Sequence, residues 1–63
     1  MSTYRIAWDN GHSCGTLPGD YTNKRVAESA ARAWKREMVA IEPTPEARRE
    51  ARETYQWEII DGA

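Results

Sequence analysis

Phenylalanine is absent from this 63-residue chain, cysteine occurs once, and no long stretch is apolar. A single thiol, Cys14, cannot form an internal disulfide, so the staple of many small secreted domains is missing and a cytoplasmic setting is expected. No segment approaches the roughly 20 apolar residues that cross a bilayer, and the first residues lack the apolar core of a secretion signal. A membrane is therefore not expected as a partner. Net charge is also scarce: nine basic and ten acidic side chains leave −1, too little for a global field that draws the chain to nucleic acid or an anionic surface. The shortness of the chain excludes a second domain or a deep substrate cavity, and the core is expected to supply only roughly 3–5 kcal/mol. Residues 1–63 are read as one small domain.

What is present is aromatic bulk and a clear change of period. Three Trp and three Tyr must provide most of the core volume. Tyr4, Ile6 and Trp8 alternate with Arg5, Ala7 and Asp9, the period of a half-buried strand. Asn10-Gly11 suits a two-residue type I′ hairpin turn, which sets Trp8 opposite Ser13, Ile6 opposite Gly15 and Tyr4 opposite Leu17. Pro18-Gly19 ends the second strand.

From Asn23 to Ile41 the pattern becomes helical, with Thr22 or Asp20 as the expected N-cap. At about 100° per residue, Val26, Ala27, Ala30, Ala31, Ala33, Trp34, Met38 and Ile41 share one arc, and most charged residues occupy the other. Glu37 falls in the apolar arc and Val39 in the polar one, which marks each as an arc edge or an outside contact. Pro43-Thr44-Pro45 stops this helix and starts a short one, with Thr44 as cap, Pro45 at its first position and Glu46 near its positive end. Tyr55, Trp57 and Ile59 then alternate through a third strand.

The element order predicts an α+β fold: a three-stranded antiparallel sheet (β-β-α-short α-β, order 2-1-3) packed on one long amphipathic helix. That helix should overhang the strands and give the short helix a surface to fold back on. Trp8, Trp34 and Trp57 are expected to meet in one dry layer.

The combination Tyr4-x-Ile6-x-Trp8, Asn10-Gly11, an alanine-rich helix with Trp34, and Tyr55-x-Trp57-x-Ile59 resembles that of small orphan proteins encoded in bacterial genomes, phages and prophages. The resemblance implies a fold and a phage-like origin, and no activity.

Chemistry-bearing residues are few. Asp9, His12 and Cys14 cluster around the turn, but an exposed hairpin offers neither a pocket nor oxyanion donors, and a structural zinc site wants four ligands. No catalytic residue, metal or cofactor is expected. Charge is unevenly distributed: eight of the nine basic residues lie between Lys24 and Arg52, and five acids there leave +3. Arg25, Arg32, Lys35 and Arg36 form a ridge on the long helix, with Arg48, Arg49 and Arg52 as a second cluster, which suits a nucleic acid or acidic partner. The leading expectation is a non-enzymatic protein-interaction module that binds a protein partner or forms a homodimer. Ile60 on the uncovered sheet face, Val39 on the helix, and Tyr4 and Tyr55 near strand ends are its candidate contacts. A nucleic-acid binder using the basic ridge is the alternative.

Overall fold

Five elements follow in the expected order in the computed structural model, which describes residues 3–61: β1 (Tyr4–Asp9), β2 (Cys14–Thr16), α1 (Lys24–Ala40), α2 (Pro45–Thr54) and β3 (Gln56–Asp61). The strands form one antiparallel sheet in the order β2-β1-β3. Trp8 lies opposite Trp57, and Ile6 opposite Ile59. Side chains at such paired positions share a face, so the alternation of β1 and β3 gathers these four on one side. Arg5, Ala7 and Asp9 lie on the other, with Ile60, Glu58 and Gln56 as their respective partners. No helix is long and apolar enough to cross a membrane among the described residues.

The hairpin corrects the two-residue turn. Ala7 pairs with Thr16, Trp8 with Gly15 and Asp9 with Cys14, leaving Asn10–Ser13 as a four-residue loop. A type I′ turn needs positive φ at both central residues. Among the described residues only Gly11 (φ 88°) and Gly19 (φ 104°) have it. Asn10 instead turns the chain with its side chain: its Oδ1 accepts from the backbone N–H groups of His12 at 2.9 Å and Ser13 at 2.8 Å. The slip moves each pairing by two residues, an even number, so the faces are unchanged. Gly15 now lies under Trp8, and a Cβ there would sit 3.2 Å from Cζ2 of the indole. Its small size therefore makes room for Trp8.

Helix α1 begins one residue later than expected. Asn23, not Thr22 or Asp20, is the N-cap, its side chain accepting from the Arg25 N–H at 2.8 Å. The cap of α2 is as the sequence indicates: Thr44 Oγ1 accepts from the Ala47 N–H at 3.1 Å and Pro45 opens the helix. Thr54 closes α2 and Tyr55 caps it, so β3 starts only at Gln56 and runs on to Asp61.

The buried side of α1 is rotated from the expected arc. Ala27, Ala31 and Val39 are buried, whereas Val26 and Ile41 are 53% and 70% exposed and Ala33 is also exposed. The cause is α2, which packs against α1 as the sheet does. Val39, on the arc read as polar, lies on the flank that α2 covers. The molecule measures 43 × 20 × 15 Å, and its radius of gyration is 12.5 Å, against about 10.6 Å for a compact chain of this length.

Elongation thins the core. Ile6, Ala27, Ala31, Val39 and Ala51 are buried, and Ile6 is the one large side chain fully enclosed among the described residues. The alanines let α1 approach closely on both sides. The three indoles are half-buried, which corrects the expectation of one dry tryptophan layer. Trp34 bridges Trp8 at 6.1 Å and Tyr55 at 5.9 Å between ring centroids, while the ring of Trp57 carries the Arg32 guanidinium at 5.8 Å. Five elements with one large enclosed side chain cannot exclude water from three indoles.

Candidate anion-binding groove

Helix α2 reads PEARREARET, with arginines at 48, 49 and 52 and glutamates at 46, 50 and 53; Arg48 and Arg52 make one pair spaced by four, and Glu46 and Glu50 another. Residues four apart share a helix face, so each pair forms its own stripe. Ala47 and Ala51 lie between the stripes, and Ala51 is buried. The alanine stripe must face inward, which sends the two charge stripes to opposite flanks of α2. A groove or cleft runs along each flank.

On the arginine flank is a groove of about 430 Å³, lined by Arg32, Lys35, Arg36, Val39 and Ala40 of α1, Arg48 and Arg52 of α2, and Trp57 of β3. Five of its eight lining residues are cations and none is a carboxylate. Val39, Ala40 and Trp57 form the apolar part. Two of the cations are held in place: Arg48 is half-buried and donates to the Glu42 carbonyl at 2.9 Å, near the C-terminal end of α1 where a cation is favoured. Arg32 lies over Trp57 and is also 3.6 Å from the Glu28 carboxylate. Arg36 and Arg52 are exposed, and Lys35 is half-buried. Cations around an apolar floor, with no carboxylate in the lining and Glu28 beside Arg32 as the partner of one of them, can receive an anionic group whose carrier is itself partly apolar.

On the other flank is a cleft of about 240 Å³ lined by Asn10, His12, Glu42, Ala47, Glu50, Ala51, Thr54 and Tyr55. Its charge comes from carboxylates.

The basic residues read from sequence are thus divided. Arg32, Lys35 and Arg36 converge with Arg48 and Arg52, although the two groups lie on different helices. Arg25 stays apart on the first turn of α1, and Arg49 is exposed on α2 outside the groove. Trp57 is the groove residue that the sequence does not signal: a tryptophan at an alternating strand position reads as core unless the flanking helix is known.

The four candidate contacts Ile60, Val39, Tyr4 and Tyr55 are not brought together. Ile60 is half-buried on the open sheet face opposite Arg5. Val39 is buried in the groove wall. Tyr4 sits at the sheet end, exchanging backbone hydrogen bonds of 2.7 and 2.9 Å with Tyr21, and Tyr55 meets Trp34 in a contact tilted by 60°. Asp9, His12 and Cys14 are also divided. Asp9 pairs with Cys14 and its carboxylate accepts from the Gly11 N–H at 2.8 Å, while His12 lines the acidic cleft. Among the described residues no three His, Cys, Asp or Glu side chains group as they would to hold a metal ion.

In comparisons with family models, curated proteins and solved structures, nothing matches the chain at a significant level.

Proposed function

We propose that this protein is a non-enzymatic interaction module that binds an acidic segment of a protein partner in the groove between α1, α2 and β3. The observation that carries this reading is the convergence of Arg32, Lys35, Arg36, Arg48 and Arg52 around Val39, Ala40 and Trp57, without a lining carboxylate. A partner that inserts an apolar side chain against that floor and places carboxylates on the rim would satisfy both parts of the groove. Arg48 and Arg32, already held by Glu42 and Trp57, would lose little side-chain freedom on binding. A phage-derived accessory protein that modulates a host component by docking onto it would work in this way.

Nucleic-acid binding is the second reading, favoured by the same five cations. It would draw Arg25 and Arg49 in as outlying phosphate contacts. Against it, the face of Trp57 that a base would stack on carries Arg32.

Titration of the protein with a glutamate-rich peptide and, separately, with a single-stranded oligonucleotide tests the two readings. The expected result is peptide binding that weakens with salt and is lost in the double variant Arg36→Glu/Arg52→Glu, whose exposed positions leave the fold intact. Peptide binding unchanged in that variant, or absent at low salt, would sink the proposal. Tight, steeply salt-dependent oligonucleotide binding without peptide binding would establish the second reading in its place.

A further inference from the structure

The groove opens beside a second feature. Strand order β2-β1-β3 leaves β3 with no neighbouring strand on its far side among the described residues. The two edges of the sheet differ. β2 is three residues long, and Tyr21 pairs with Tyr4 further along that side. β3 offers six residues without proline, lysine or glycine, so the lysine and proline that commonly guard an exposed edge are missing, and its charged residues are the acids Glu58 and Asp61. Trp57 belongs to this edge strand and also lines the cationic groove.

Resting on the groove reading above, we infer that the acidic segment binds in extended form, as a fourth strand added to the free edge of β3. Main-chain hydrogen bonds to β3 hold it, and alternate side chains turn toward the groove. The spacing agrees. Carboxylates two residues apart on a strand are about 6.6–6.8 Å apart. Arg32 and Arg36, like Arg48 and Arg52, are one helical turn apart, about 6 Å along their axes. The residues between the carboxylates would face the open side of the sheet, where β3 carries Gln56, Glu58 and Ile60, so they should be neutral or basic. The ligand is therefore acidic at every second position and uncharged or cationic between. A polyanion suits this place less well. It cannot use the backbone edge, and running along β3 it would meet Glu58 on the open face.

The test uses the full chain, labelled with nitrogen-15, and a capped peptide alternating glutamate with threonine. Amide exchange and groove arginine side-chain signals are followed during titration. The expected result is that outward-facing β3 amides slow roughly tenfold or more while the arginine signals shift. The same peptide with a central proline, or with its glutamates grouped in one block, should bind roughly tenfold more weakly. If the arginine signals shift and the β3 amides do not slow, strand addition is overturned and the groove reading survives. Concentration-dependent protection of β3 without peptide would show a second copy on that edge and also overturn the inference. Binding of oligothymidine with no response to the peptide, or no response to either, overturns both readings.

Discussion

The two flanks of α2 differ in charge although one ten-residue helix builds a wall of each. One side presents Arg48 and Arg52 to three more cations from α1, and the other presents Glu50 to Glu42 with His12 nearby. A helix that alternates charge signs is normally read as a solvated surface steadied by weak pairs. Here the buried alanine stripe fixes its rotation, and that rotation sorts the signs. A mixed-charge helix docked by a narrow apolar stripe separates its charges into two fields, and each acquires meaning from what the neighbouring element adds.

The largest effect would erase both flanks together. Ile6 is 1% exposed, and Ile6→Ala should cost roughly 2–5 kcal/mol. That is comparable with the whole expected stability of roughly 3–5 kcal/mol, so circular dichroism should show a largely unfolded chain at room temperature. Retention of a cooperative melt would mean that the core is larger than the five buried residues. A smaller change should separate the flanks. Arg52→Glu should weaken acidic-peptide binding by about tenfold or more, the scale of one charge-assisted hydrogen bond, whereas Glu50→Arg should leave it nearly unchanged. A strengthening by Glu50→Arg as large as the weakening by Arg52→Glu would mean that general charge, not the groove, governs affinity. The smallest change concerns the shared wall. Thr44→Ala removes the α2 cap and should cost about 1 kcal/mol, seen as a lower melting temperature and faster exchange at the Ala47 amide.

Much of the architecture was legible because it rests on local chemistry. The alternation of Tyr4, Ile6 and Trp8, the Pro43-Thr44-Pro45 break and the Thr44 cap each act within a few residues. The loop of the hairpin was not legible, because Asn10 can serve a tight turn by adopting positive φ or a longer one by accepting hydrogen bonds with its side chain. Nor was the burial of Val39, since the inward arc of α1 depends on α2 as well as on the sheet. The groove itself was visible only as two separate arginine clusters.

From the sequence alone came the elements, their order, the sheet topology and the sorting of each helix into stripes, since these depend on residue period and on caps within one or two turns. Only the tertiary structure decided which stripe faces inward, how far the indoles are covered and that arginines from α1 and α2 share a groove with Trp57. Those depend on the rotation of one element against another, which is set by contacts between residues far apart in the chain.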